Sequence, residues 1–568
     1  MTNASARHNA AHPQTSPPRI PPDPTSSPDH VAPPTADAHE ATSDSPKPAS
    51  PKPASPGPTS LAAASPGPAS LATDSPGPAS PTIASRGPAS PTIASSESDS
   101  PAAESAATES ATTAAARAAR RALLVACGAA FVAFLDLSVV NIAFPAITRD
   151  FPSTAPTTLT WVVSGYAVAF AALLTPAGRL ADALGRGRVF LFALGGFALT
   201  SLLCAVAPGA DWLIVGRFLQ GATAAFLIPA GLGVVLGVTA PEKIGVAMAA
   251  WTAAGGFAAT VGPAVGGALV DWFGWRSVFV INLPIAAVLI ALGFRLAANE
   301  ARQRDGLPDL FGTAATGLGI GAVVAAVTQG QQWGWGEWRT LVCGIGGLAL
   351  LAVALWRSRS HPRPAIAVGL WRSHRYALVN ATAFVFGASM FAWLLAGPLW
   401  LDSVWHYSVL ESAGAMTVGA IASMMTAVPA GRAPESWQRW LGVLGALMFA
   451  ASTFYMSTDA WSTTPELWKA WIPAGILGGG GIGMVITVLG TAAARSLPPQ
   501  RFAAGVGMNL TARQSGGALG VAVLAAVFAA HPRDGLAAFH SLFAICAVIA
   551  VAAAVIAAVP ARSEEVNV

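Results

Sequence analysis

The chain has 568 residues, of which 32 are Lys or Arg and 28 are Asp or Glu, so only 11% are charged and the formal net charge is +4. A soluble domain carries about 25% charged residues. Here 53% of residues are hydrophobic and the mean hydropathy is +0.54, which excludes both an ordinary soluble globular protein and a disordered regulator.

Residues 1–116 are rich in Ser, Pro, Ala and Thr, and no aromatic residue occurs before Phe131. Four related decads begin at Ser55, Ser65, Ser75 and Ser85, each with two or three prolines or a Gly-Pro pair in place. Prolines at that period sustain neither a helix nor a paired strand. Without aromatic side chains the segment buries too little surface to offset its ordering entropy. Residues 1–116 are therefore expected to form a disordered cytoplasmic tail. The first apolar run begins only at Ala122, too late for a secretory signal peptide.

From Arg121 onward the pattern is apolar runs of about 20 residues, the length that crosses a bilayer. Fourteen spans are expected, near 122–147, 158–178, 189–208, 211–237, 244–270, 275–297, 310–330, 339–356, 376–401, 412–430, 440–457, 467–492, 502–529 and 536–558. With the N-terminus placed in the cytoplasm, Lys and Arg of the links divide 20 inside to five outside, as the positive-inside rule requires. The basic residues lie between apolar runs and not in one patch, so nucleic acid is not an expected partner. The sequence Pro-Ala-Gly-Arg ends both the second span (Pro176–Arg179) and the tenth (Pro429–Arg432). A duplicated six-helix unit accounts for that match, and duplicated halves are a transporter signature.

The expected organisation is thus an all-α integral membrane protein. An N-terminal six-helix bundle occupies 117–300, two inserted helices 301–375, a C-terminal six-helix bundle 376–560 and a short cytoplasmic tail 561–568. The four cysteines lie singly in separate apolar stretches and no Cys/His cluster exists, so neither disulfides nor a metal site are expected.

Charge inside a membrane is costly and usually functional. Three charged side chains sit well within spans: Asp136, Arg217 and Arg513. At 1.5 Å per residue, Asp136 lies about 16 Å and Arg217 about 9 Å below the outer surface, close enough in depth to pair or exchange protons. Desolvation raises a carboxylate's pKa and a nearby Arg lowers it again, so an Asp that switches partner is a workable proton carrier. Arg513, in the thirteenth span, suits substrate contact and a helix-packing anchor equally.

The link Gly178–Phe190 has glycines for a tight turn and an acid, Asp182, able to accept from a helix N-terminus or pair with an Arg; such contacts latch one conformation. The fifth span carries GGFAATVGPAVGG (Gly255–Gly267), where small residues allow close helix approach and Pro263 leaves a carbonyl unpaired.

These segments together resemble the major facilitator superfamily, and within it the fourteen-span drug:proton antiporters. The loop motif G-x-L-A-D-R-x-G-R is matched at Gly178, Leu180, Ala181, Asp182, Gly185 and Arg186, and departs at Ala183 and Gly187. The fourth-helix motif R-x-x-Q-G is matched by Arg217, Gln220 and Gly221, and the antiporter motif G-P-x-x-G-G by Gly262, Pro263, Gly266 and Gly267. The first-helix motif is matched by Leu135, Asp136, Val139, Val140, Asn141, Ala143 and Pro145, with Ser138 in place of Thr. The resemblance implies a major facilitator fold, proton coupling through Asp136 and Arg217, and export favoured by Gly262–Gly267. It implies small, lipophilic or drug-like substrates, with metabolites, siderophores and antibiotics as alternatives, and an uncoupled facilitator as the rival mechanism.

Some members of that family that extrude dications carry an extra acid in the tenth span; none lies there, so the resemblance favours neutral, monovalent or zwitterionic substrates. Asn141, Trp161, Tyr166, Phe384, Phe391, Trp393 and Arg513 are candidate substrate contacts, the aromatic ones by stacking on a flat or cationic ligand. The G-x-G-x-x-G of Gly478, Gly480 and Gly483 has no preceding strand and reads as helix packing. The expected protein is not an enzyme, has no cofactor, and is driven by the proton gradient. It is expected to be a monomer in a bacterial plasma membrane, with both termini cytoplasmic.

Overall fold

A computed structural model of the chain describes residues 101–298 and 306–560. The decad repeats, the 299–305 link and the C-terminal 561–568 segment lie outside the described residues.

Fourteen long helices occur among the described residues. The first six are α1 (Pro101–Asp150), α2 (Trp161–Leu184), α3 (Arg186–Ala205), α4 (Ala210–Val238), α5 (Ile244–Phe273) and α6 (Asn282–Ala298). Two follow as a pair, α7 (Leu310–Trp333) and α8 (Trp338–Ser360). The last six are α9 (His374–Ser403), α10 (Val409–Arg432), α11 (Glu435–Met456), α12 (Ile472–Arg495), α13 (Phe502–Ala530) and α14 (Gly535–Ala558).

Thirteen of these are long and apolar enough to cross a membrane. The exception is α11, which is 22 residues long but diluted by Arg439, Ser452, Thr453 and Tyr455. Helix α1 differs from expectation at its start. It begins at Pro101, so residues 101–116 are helical and not part of an unstructured tail. The cause is local: half of this stretch is alanine, the strongest helix former, and its proline stands at the first helical position, where no N–H is missed.

The sixth span is broken. A short turn, Ser277–Val280, precedes α6, and Ile281 lies between them. Pro284 explains the break, since it has no N–H to offer the carbonyl four residues back. By contrast α5 runs without interruption through Pro263.

Helix packing repeats between the two groups of six. Helix α1 packs on α5 and α6, α2 on α4, and α3 on α4 and α6; likewise α9 packs on α13 and α14, α10 on α12, and α11 on α12 and α14. The two bundles meet along two seams, α2 with α13 and α5 with α10. The inserted pair lies to one side, α7 against α2 and α13, and α8 against α7.

Both seams close by backbone contact at one end. A Cβ on Gly178 of α2 would collide with the Ala503 carbonyl of α13. One on Gly245 of α5 would collide with the Gly431 carbonyl of α10, and the reverse also holds. Glycine is required at each of these positions because two main chains occupy the space a side chain would need.

Candidate functional site

Asp136 stands on α1 with no exposed surface, and Arg217 on α4 is equally buried. Arg217 Nη1 donates to Asp136 Oδ2 at 2.6 Å. The other carboxylate oxygen, Oδ1, accepts from Gln220 Nε2 at 2.8 Å and from Asn282 Nδ2 at 2.8 Å. Gln220 is one turn beyond Arg217 on α4, so the i, i+3 spacing puts both on the face turned to α1.

The remaining contacts close a cage around this pair. Gln220 Oε1 accepts from Arg217 Nη1 at 2.7 Å, and the Ser201 hydroxyl on α3 accepts from Gln220 Nε2 at 2.7 Å and Asn282 Nδ2 at 3.3 Å. Arg217 Nε donates to the Val162 carbonyl of α2 at 2.8 Å. The guanidinium carbon lies 4.4 Å from the Tyr166 ring centroid and 5.8 Å from that of Phe279. Tyr166 is fixed in turn by its hydroxyl on the Ala133 carbonyl at 3.3 Å.

Five of the first six helices, α1, α2, α3, α4 and α6, thus contribute to one network around this carboxylate, which itself is bonded from α4 and α6. Two polar atoms in this cage have no partner, Arg217 Nη2 and Asn282 Oδ1. The network therefore holds one spare donor and one spare acceptor, capacity that a rearranged state can use. A proton on Asp136 would remove the ionic part of the Arg217 contact while leaving the amide donors in place.

Gly221 lets α4 come this close. A Cβ there would collide with the Tyr166 carbonyl, so the α2–α4 crossing that brings Tyr166 over Arg217 depends on that glycine. In the α5 motif, Gly262 faces Ser138 and Gly266 faces Val139, both on α1 next to Asp136. Gly267 has open space beyond its Cα and contributes nothing to that crossing.

The link between α2 and α3 forms a second polar cluster. Gly185, at φ 101°, makes the turn. Asp182 Oδ1 accepts from Arg186 Nε at 2.7 Å. The same carboxylate accepts from the backbone N–H of Ala503 at 3.2 Å and of Ala504 at 2.8 Å. Those amides belong to the first turn of α13, where helix N–H groups have no internal partner. Arg186 also donates to the carbonyls of Gly233, at 3.2 Å, and Pro499, at 2.5 Å. This cluster ties the first bundle to the second at the end where both seams are closed.

The candidate substrate contacts do not converge on one place. Trp161 stacks on Phe218 and lies beside Trp333 of α7, with ring centroids 5.6 and 6.0 Å away. Trp393 is buried inside the second bundle, its indole N–H 3.1 Å from the Met456 sulfur. Phe391 packs on Gly517, and Asn141 is exposed. Phe384 lines an apolar groove of about 470 Å³ between α2, α7, α8, α9 and α13, together with Thr175, Asn380, Thr511 and Ser515. Arg513 is buried on α13, outside that groove.

Ser201 and Asn282 escaped the sequence reading. The available signal for Asn282 was a lone amide two residues before Pro284 in an otherwise apolar run. No group of His, Cys, Asp and Glu able to hold a metal ion occurs among the described residues.

Residues 126–312 match the family model described as Major Facilitator Superfamily. The chain is 35% identical to a puromycin resistance protein of Streptomyces alboniger, over 71% of this chain and 80% of that one. It is 31% identical to a multidrug resistance protein of Mycobacterium tuberculosis, over 70% and 74% of the two chains. It is 30% identical to a tetracenomycin C resistance and export protein of Streptomyces glaucescens, over 72% and 76%. Among solved structures, a human organic anion transporter aligns with TM-score 0.58 at 13% identity, covering 77% of this chain and 99% of that one. A proton:xylose symporter aligns with TM-score 0.54 at 12% identity, covering 78% and 95%.

Proposed function

Because this chain belongs to the major facilitator superfamily, among its antibiotic and multidrug exporters, we propose that it is a proton-coupled antiporter in which Asp136 carries the proton. At the level of the family it is a multi-pass membrane transporter of small molecules and not an enzyme.

The observation that carries the coupling is the Asp136 cage. It holds the one acid buried at mid-membrane among the described residues, bonded from α4 and α6 within a network drawn from five helices of one bundle and closed to solvent. A carboxylate so enclosed exchanges its proton only when the helices around it separate, so protonation and movement are linked. In the present state the Asp182 cluster and both glycine crossings close the end expected to face the cytoplasm. A proton arriving from the opposite side weakens the Asp136–Arg217 pair, frees Arg217 for other acceptors and relaxes α1 against α4. Discharge of the proton to the cytoplasm after the return swing restores the pair. Inward movement of one charge supplies about 2.3 kcal/mol per 100 mV of membrane potential.

Substrates follow the relatives in class: antibiotic-like, amphipathic molecules, exported outward. The distribution of Lys and Arg supports a cytoplasmic position for both termini.

The test uses inside-out vesicles with an acidified lumen and a pH dye, challenged with puromycin and a panel of lipophilic drugs. Wild type is expected to lose its gradient to at least one compound, and Asp136→Asn to none. Equal flux through both variants without proton movement would remove Asp136 from the mechanism and make the protein a facilitator.

A further inference from the structure

Arg513 is the charged side chain that the coupling scheme leaves unused. It sits eleven residues into α13, about 16 Å from that helix's start. Only 9% of the residue is exposed. Its Nε is fully buried with no hydrogen-bond partner, and among the described residues no ion pair or ring contact engages the guanidinium. Among the described residues every other arginine buried to this degree is paired: Arg217 with Asp136, and Arg186 with Asp182.

The surroundings explain why no partner reaches it. Helix α13 lies against α9 through small residues. A Cβ on Gly387 would collide with the Arg513 carbonyl, and one on Gly516 with the Phe384 carbonyl. These crossings leave no room for a long acidic side chain, and the acid of α9, Asp402, lies fifteen residues beyond Gly387, near the end of the helix. Met508, Thr511, Ala512 and Ser515 turn toward the apolar groove, while Arg513 lies about 150° round the helix from them. Its charge is therefore not drawn out to the groove's open side.

Arg513 also lies at the junction of the two bundles. Two residues earlier, the Thr511 hydroxyl is joined to that of Thr175 on α2 at 2.8 Å, a bond that crosses the α2–α13 seam. The helix that carries the cation thus borders the surface along which the bundles part, with Arg513 and Thr511 on different faces of it. A buried guanidinium without a counter-charge is costly in a membrane, and such groups mark ligand or ion pathways.

We propose that Arg513 anchors an anionic group of the exported molecule, so that the substrates are amphipathic organic acids or zwitterions bearing one carboxylate or sulfonate on an apolar body. Guanidinium–carboxylate pairing supplies the orientation and the adjacent apolar helix faces receive the body. The converse also follows. The carboxylate at mid-membrane, Asp136, is already occupied by three donors, so a purely cationic drug finds no free acid there. This inference rests on the exporter reading only in placing Arg513 on the transport path. Its test measures binding, which does not depend on Asp136 carrying a proton.

The experiment uses the full chain in lipid nanodiscs and two probes of the same shape, 1-naphthoate and its uncharged methyl ester, read as protection against thermal unfolding. Naphthoate is expected to raise the melting temperature of wild type and to need at least about tenfold higher concentration in Arg513→Met. The ester should act alike on both. Arg513→Lys, which keeps the charge, should retain most of the naphthoate effect. Without ligand, Arg513→Met should melt no lower than wild type, since it removes an unpaired buried charge. Naphthoate protection equal in wild type and Arg513→Met, or none in wild type at millimolar concentration, overturns the proposal. So does a ligand-free Arg513→Met that melts well below wild type while Arg513→Lys does not, because that pattern belongs to a structural anchor.

Discussion

The Asp182 cluster fixes how strongly the present state is held, and the perturbation that reads it is Asp182→Asn. The carboxylate accepts from Ala504 N–H at 2.8 Å, Ala503 N–H at 3.2 Å and Arg186 Nε at 2.7 Å. Asparagine keeps the shape and one acceptor oxygen but loses the charge. Hydrogen bonds to a charged group contribute about 1.5–3 kcal/mol each, against about 1 for a neutral pair. Arg186 keeps its Gly233 and Pro499 carbonyls, so the loss falls on the two α13 amides and is about 2 kcal/mol. That is about a thirtyfold shift in equilibrium. A population of about 99:1 in favour of the closed end would fall to about 3:1. The assay is the distance distribution between spin labels at Leu184 and Gln500, both exposed and on opposite sides of the seam, with the four native cysteines replaced. A second, longer distance should appear in Asp182→Asn. An unchanged distribution would show that the two α13 contacts do not hold the state, and the latch argument would fail.

Three further outcomes follow from the same packing. Gly221→Ala places a methyl group against the Tyr166 carbonyl and should cost about 1–3 kcal/mol, read as a lower melting temperature and slower transport together. Gly431→Leu wedges the α5–α10 crossing against Gly245; the Leu184–Gln500 label pair should again report an open population, here without any change of charge. Asp309, just before α7, is ion-paired with Arg357 of α8. Burial raises its pKa, but the Arg357 guanidinium, the Gly312 amide and His361 outweigh that and hold it below the ordinary carboxylate value. A depressed folded-state pKa contributes stability above the unfolded value of about 3.9 that is lost as the pH falls. Asp309→Asn should therefore cost up to about 1 kcal/mol at pH 7, with Arg357 half-exposed, and the gap to wild type should close below about pH 4 in paired melting curves.

Charge was the most legible feature of this sequence. Asp136 and Arg217 stand out because an ion in an apolar run is conspicuous, and helix depth alone brings them to within about a turn or so of each other. The glycines were legible as small-residue runs, although which neighbour each one admits was not. Ser201 and Asn282 were hidden because a single hydroxyl or amide barely alters the apolarity of a span. The aromatic candidates show a different limit. In a soluble helix a polar face points outward, but here lipid and protein interior are both apolar, so the pattern does not say which way Trp161 or Trp393 turns. Trp393 in fact faces the Met456 sulfur within its own bundle.

The repeated packing of the two bundles makes their chemical difference informative. In the first, α4 is held to its neighbours by ions and amides: Arg217 and Gln220 reach α1, α2 and α3. In the second, the matching helix α12 carries a glycine run in which a Cβ on Gly479 would collide with Gly419 of α10, on Gly481 with Gly445 of α11, and on Gly483 with Ser423 of α10. That contact is backbone on backbone, with no charge to titrate. Close-packed interiors transmit displacement with little compression. On the proposed scheme a change of charge in the first bundle has polar contacts to break and remake, while the close backbone packing of the second suits it to move as a body. On that scheme energy enters at Asp136, and Arg513, the buried arginine across the seam whose Nε has no partner among the described residues, would read what is carried.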